Sequence, residues 1–203
     1  MIISHTHKFV FVAVSKTGTT SLQSILREYN DEVNPHKILK HPRSQPNYRK
    51  HAPLYVIREV FNVDDYFSFC FVRNPWSRTV SRWHYTQKIA SSEDTPYGDE
   101  CRQQLLKCKT FKDYILYTNT CIQSRFVLDK HGNNIVDFIG KFENLQQDFN
   151  KICDKIGIPK HQLSHKNATK HKHYTEYYDD ETRQIVAEKY AKDIEMFGYE
   201  FGE

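Results

Sequence analysis

Residues 9–14, Phe-Val-Phe-Val-Ala-Val, constrain this chain more than any other segment. An unbroken apolar run of that length reads as a strand buried on both faces, as in the middle of a parallel sheet. Residues 15–20 then form a polar turn containing Gly18, and Leu22, Ile25, Leu26 and Tyr29 recur at helical spacing. The chain thus opens as strand, tight loop and helix. Residues 66–72 are a second β-prone run ending at Arg73, after which Asn74-Pro75 supplies a helix cap and a first-turn proline. Trp76, Val80 and Trp83 share one face of the helix that follows. Helical spacing returns over 100–118, and residues 135–139 read as a third strand. Leu145, Phe149, Ile152 and Ile156 mark a helix stopped by Gly157 and Pro159, and Val186, Tyr190, Ile194 and Phe197 define one C-terminal helix. Between these elements, residues 33–53 carry four of the seven prolines and read as an irregular excursion. Leu54, Ile57 and Phe61 suggest a short helix, and residues 89–100 a polar loop. Strands alternating with helices predict an α/β fold: a central, mainly parallel sheet flanked by helices, in a single domain spanning 1–203.

Composition sets the outer limits. The 203 residues are 38% hydrophobic and 14% aromatic, which excludes collagen-like, low-complexity and disordered chains. No stretch approaches the roughly 20 apolar residues of a membrane span, and the run at 9–14 is too short for a secretory signal. Five cysteines, Cys70, Cys101, Cys108, Cys121 and Cys153, show neither disulfide nor zinc spacing, which predicts reduced thiols in a soluble, cytoplasmic protein. Cys70, inside a strand pattern, reads as core. The net charge of +4 is unevenly spread. No acid falls between residues 33 and 58, where Lys37, Lys40, Arg43, Arg49, Lys50 and Arg58 lie. None falls between 155 and 175, where Lys155, Lys160, Lys166, Lys170 and Lys172 lie. Two basic segments on an otherwise acidic chain fit either an anionic ligand or two solvated loops.

In an α/β fold ligands sit where strands end and helices begin. Ser15-Lys16-Thr17-Gly18-Thr19-Thr20-Ser21 occupies such a place. Gly18 can take a backbone conformation closed to other residues, the following amides point outward at a helix N-terminus, and the hydroxyls add donors. Lys16 adds a full charge. This is a P-loop-like phosphate cradle but not the nucleotide-triphosphatase loop, in which the lysine follows the second glycine. At the second junction Arg73 stands at the strand end, with Ser77 and Ser81 one helical turn apart on the helix that follows. A guanidinium and a hydroxyl suit a terminal phosphate. Arg78 and Arg82 read as exposed arginines of an ordinary helix start.

Together the two junctions resemble the sulfotransferases that use 3′-phosphoadenosine 5′-phosphosulfate (PAPS), especially their carbohydrate (family 2) branch. The resemblance implies that Lys16, Thr17, Gly18, Thr19, Thr20 and Ser21 hold the 5′-phosphosulfate. It also implies that Arg73, with Ser81 eight positions later, holds the 3′-phosphate. It extends through Lys141-Phe142-Glu143-Asn144-Leu145 and Phe197-Gly198-Tyr199, so it spans nearly the whole chain. It further implies a sulfotransferase fold, PAPS as donor, the bisphosphate PAP as product, no metal, and an acceptor hydroxyl on a saccharide or glycan. Residues 155–175 look like the segment that covers the nucleotide, with Lys166 or Lys170 as further phosphate contacts. No membrane anchor like that of Golgi members is expected here, so the reading is a soluble protein, with a Golgi location only if an anchor was removed.

Sulfuryl transfer is an in-line displacement that asks for positioning, charge stabilisation and a base. Lys16 is the candidate for stabilising the transferring group. His51 lies where family members with a catalytic histidine carry it, and an imidazole titrating near ~6.5 suits a base at neutral pH. Glu59 is the alternative base. The acceptor stays open between a saccharide and a small hydroxyl compound. Two other classes compete. A P-loop-like small-molecule kinase would need Mg²⁺ and ATP. A nucleic-acid-binding module would show steep salt dependence, but no nucleic-acid motif is present.

Overall fold

A computed structural model of the chain describes residues 1–32, 34–42, 48–92, 98–118, 121–164 and 172–203. In chain order the regular elements are β1 (Ile2–Ser4), β2 (Phe9–Val12), α1 (Thr19–Leu26), α2 (Tyr48–His51), α3 (Leu54–Val60), β3 (Phe67–Val72) and α4 (Pro75–Ala90). There follow α5 (Gly98–Lys107), α6 (Phe111–Tyr117), β4 (Phe138–Lys141), α7 (Leu145–Ile156), α8 (Asp180–Lys189) and α9 (Ala191–Phe197). The backbone divides into two compact units, Met1–Arg73 with Gln123–Asn167, and Asn74–Ile122 with Ala168–Glu203.

The first unit holds the sheet, ordered β1-β2-β3-β4. β2 pairs parallel with β3, and β3 parallel with β4, while β1 is an antiparallel edge against β2. The α/β class and the mainly parallel, helix-flanked sheet are therefore as expected. The apolar run does what its pattern implies: every residue of 9–14 is buried. Its alternate residues Phe9, Phe11 and Ala13 join Phe69 and Phe71 of β3 in a core. Leu22 and Leu26 of α1 and Phe149, Ile152, Cys153 and Ile156 of α7 complete it. Aromatic rings meet across the parallel pair, Phe11 stacked on Phe69 at 5.4 Å and Phe9 tilted against Phe69 at 5.8 Å. Gly140 serves the same packing, because a Cβ there would lie 2.5 Å from the Phe71 ring. Cys70 points into the interior, and burial pushes its thiol far above the ordinary range, as befits core rather than chemistry.

Three expectations change in this unit. The chain opens with a hairpin and not with the apolar strand, since β1 precedes it. Three residues are too few to show a period of two. The third expected strand begins three residues later, at Phe138. Ile135 instead donates its N–H to the Val127 carbonyl, and Asn134 bridges Leu128 outside the sheet. The Asp137 carboxylate meanwhile accepts from the Ser68 N–H and Oγ at 2.8 and 2.6 Å, pinning the strand start. The excursion over 33–53 contains a 3₁₀ turn, Pro35–Lys40, and α2. Residue 33 and residues 43–47, including Arg43, lie outside the described residues.

The second unit is helical. The Asn74 Oδ1 accepts from the Trp76 and Ser77 N–H groups at 3.1 and 3.3 Å, and Pro75 follows it as the first helical residue. Trp76 and Val80 pack with Ile115, Tyr174, Val186 and Tyr190, whereas Trp83 packs with Cys108 and Tyr114. Arg78 corrects the sequence reading. It is buried, and its Nη1 donates to the Cys121 carbonyl at 3.0 Å. The expected C-terminal helix is two helices. Tyr190, at φ −118° and ψ 20°, breaks the axis while its ring stays in the core with Val186. α4 runs to Ala90 and α5 starts at Gly98, so both ends of the expected 89–100 loop are helical, and residues 93–97 lie outside the described residues. Among the described residues no helix is long and apolar enough to cross a membrane.

Candidate active site

The site is built on the loop that leaves β2. The hydroxyls of Thr17 and Thr19 both donate to the Val14 carbonyl, at 2.9 and 2.6 Å, which folds the loop back over the strand end. Two of its residues are left-handed, Lys16 at φ +69° and Gly18 at φ +77°. Glycine adopts that conformation freely; a lysine does so at a cost of about 1–2 kcal/mol. Gly18 is also boxed in, since a Cβ there would sit 2.8 Å from Leu145 and 3.4 Å from the Phe142 ring. The first intrahelical bond of α1 runs from the Leu22 N–H to the Gly18 carbonyl at 3.2 Å. The amides of Thr19, Thr20 and Ser21 therefore have no acceptor within the helix, Gly18 has no side chain to cap them, and the first turn carries no acid. Such an end attracts anions through its amides and its dipole.

The side chains of the loop serve it differently from expectation. Thr17, Thr19 and Ser21 spend their hydroxyl protons on carbonyls, Ser21 on that of Ser164 at 2.7 Å. These residues shape the loop, and the donors they present outward are main-chain amides. Thr20 is exposed.

Arg73 stands one residue past β3. Its guanidinium lies over the Phe142 ring, 4.2 Å from the centroid, and its Nη1 approaches the Lys16 carbonyl at 3.5 Å. Phe142 thus touches both the arginine and the surroundings of Gly18. The Arg73 main chain is held by Gln123, which accepts from its N–H at 2.9 Å and donates to its carbonyl at 2.8 Å. The fold consequently brings Lys16, Gly18 and Arg73 together within one unit.

His51 ends α2, and its Nδ1 lies 2.7 Å from the Ala13 carbonyl, at the root of the same loop. A carbonyl only accepts, so Nδ1 carries the proton and the neutral ring keeps its basic lone pair on Nε2. Glu59, on α3, accepts from His41 Nε2 at 2.6 Å and is nearly half exposed. Ser81 is buried on α4 in the second unit. Lys166 and Lys170 lie outside the described residues. Sequence reasoning missed Gln123 altogether, since it stands in a polar stretch with no period. It quoted Phe142 without seeing that its ring supports Arg73. Among the described residues no group of three His, Cys, Asp or Glu side chains is placed to hold a metal ion.

The chain is thus an α/β protein in which an uncapped strand–loop–helix junction lies beside an arginine at the next strand end. A model of the sulfotransferase family matches residues 1–200, and the chain belongs to that family. It is 25% identical to human carbohydrate sulfotransferase 9 over 93% of this chain and 46% of that protein. It is 24% identical to carbohydrate sulfotransferase 14 of Danio rerio over 98% of this chain and 62% of that protein. An uncharacterized protein of Archaeoglobus fulgidus is 32% identical over 47% of this chain and 72% of its own length. The chain spans about half to two-thirds of the length of these carbohydrate sulfotransferases.

Proposed function

We propose that this chain transfers the sulfuryl group of PAPS to an acceptor hydroxyl, and that the acceptor is a saccharide. The observation that supports the reading is the left-handed loop over Lys16–Gly18, which opens α1 with uncapped amides and whose Lys16 carbonyl lies 3.5 Å from the Arg73 guanidinium. Gly18 holds the left-handed turn into α1 while packing against Leu145 and Phe142, where a Cβ would lie 2.8 Å from the Leu145 side chain. The saccharide comes from the likeness to carbohydrate sulfotransferases. Residues 1–203 act as one catalytic domain, a reading that rests on the family match over 1–200. The five free thiols fit a reducing compartment such as the cytoplasm.

PAPS supplies an activated sulfuryl group and a phosphate leaving group. The amides of Gly18, Thr19 and Thr20, with Thr17 and Ser21 shaping the loop, bind the 5′-phosphate. Lys16 neutralises the charge that grows on the bridging oxygen as the S–O bond to the phosphate breaks. Arg73 binds the 3′-phosphate, and Ser81 and Lys170 add contacts by analogy with the family. His51 Nε2 takes the acceptor proton as the hydroxyl oxygen bonds to sulfur, while Nδ1 stays anchored on Ala13. Positive charge from lysine, arginine and a helix end supplies the field, and the residues named need no metal partner for these roles.

The test is thermal protection by PAP. At a hundredfold excess over its dissociation constant it should stabilise the fold by about 2.7 kcal/mol, a rise in Tm of roughly 5–10 °C at this chain length. ATP with Mg²⁺ should protect less. No shift at millimolar PAP overturns the reading. For the base, His51→Ala should lower kcat by about 10²–10⁴-fold and leave PAP affinity unchanged. Wild-type turnover by that variant would transfer the role to Glu59.

A further inference from the structure

Two side-chain hydrogen bonds of Gln123 go to a single residue. Its Oε1 accepts from the Arg73 N–H at 2.9 Å and its Nε2 donates to the Arg73 carbonyl at 2.8 Å, from fifty positions away in sequence. The side chain is fully buried. The register of β3 with β4 ends at Val72 opposite Lys141, so Arg73 lies just past the sheet ladder. Gln123 there acts as a strand partner one residue long. An amide side chain offers a donor and an acceptor side by side, as a peptide does; ionised glutamate lacks the donor, and methionine has no donor and only a weak sulfur acceptor.

The residue so held is the one with a long, charged side chain aimed at the cradle. Fixing the N–H and C=O of Arg73 fixes the direction of its Cα–Cβ bond, and the Phe142 ring then supports the guanidinium at the far end. An arginine tethered at both ends loses little freedom when an anion arrives, whereas a free one must be ordered by the ligand. We infer that Gln123 is a positioning residue for nucleotide recognition: by clamping the main chain of Arg73 it places the guanidinium for the 3′-phosphate. This rests on the reading of Arg73 given above and names the residue that makes that reading selective.

The test compares PAP with adenosine 5′-monophosphate, which lacks the 3′-phosphate, by calorimetric titration. The proteins are the full chain, Arg73→Ala, Gln123→Met and the isosteric Gln123→Glu. The unmodified chain should prefer PAP by at least about tenfold, because charge-assisted bonds to a phosphate are the strong ones. Arg73→Ala should erase that preference. Gln123→Met should weaken PAP by about tenfold, the scale of a misaligned charged hydrogen bond, with the monophosphate within about threefold of its original affinity. Gln123→Glu keeps the acceptor for the Arg73 N–H but sets a carboxylate oxygen against the Arg73 carbonyl, so it should weaken PAP at least as much as the methionine variant, and it decides the matter if that variant does not fold. A role in folding alone would lower Tm and leave the ratio of the two affinities intact. An intact ratio in both Gln123 variants, beside a lost one in Arg73→Ala, overturns the inference and leaves the function standing. No preference in the unmodified chain overturns both.

Discussion

The two strand-to-helix junctions of this chain answer one geometric problem in opposite ways. After β2 the chain spends residues 13–18 on a loop, places Lys16 and Gly18 in the left-handed region, and enters α1 through a glycine that caps nothing. After β3 it spends only Arg73 and Asn74, and enters α4 with Trp76 and Ser77 N–H groups already bonded to the Asn74 side chain. Pro75 has no N–H to offer. The first helix end therefore leaves its donors uncapped, while the second has used its own. A helix N-terminus attracts an anion only where the chain has not supplied a substitute. On the proposed reading, an anion at the first junction is held by main chain, which no side-chain substitution removes. On the same reading, binding at the second junction depends on the Arg73 side chain.

That division can be broken most forcefully at Lys16. Lys16→Ala should lower kcat by about 10²–10³-fold, the usual cost of deleting one group that stabilises transition-state charge. PAP affinity should change by less than about tenfold, because the amides of the cradle survive. Lys16→Gly should lose the same turnover, yet unfold at higher denaturant than Lys16→Ala by about 1 kcal/mol, since glycine accepts φ +69° without strain. Single-turnover rates and urea titrations of the two variants separate the charge from the backbone. Full turnover in Lys16→Gly would mean that loop shape, and not the lysine, makes the first junction work.

Much of this contrast was legible in the sequence, and the part that was not has identifiable physical causes. Gly18 and Asn74 announce their junctions because each is the residue type that its local conformation demands. The apolar run at 9–14 announces a central strand because burial on both faces leaves no polar position. The left-handed Lys16 carries no such mark, since tertiary packing and not propensity imposes that conformation. The clamp by Gln123 and the stacking of Phe142 on Arg73 are contacts between residues far apart in the chain, and periodicity reports only neighbours. Arg78 misled for a related reason: its charge reads as surface, but the Cys121 carbonyl and a buried position await it. Tyr190 keeps the spacing of a continuous helix while breaking its axis, so spacing alone joined α8 to α9.

The smallest effect is expected at Asn74, and it sharpens the contrast from the other side. Asn74→Ala removes the cap of α4 and the bond from its Nδ2 to the Glu200 carbonyl at 2.8 Å. Stability should fall by about 1–3 kcal/mol, a cap plus one buried hydrogen bond. PAP affinity in the folded variant should stay within about threefold, because the amides Asn74 had covered belong to the helix and not to the ligand site. Urea unfolding and calorimetric titration on the same preparation give both numbers. A loss of PAP affinity beyond tenfold in a well-folded variant would show that the second junction binds through its helix end after all, and that the two junctions differ in sequence but not in kind.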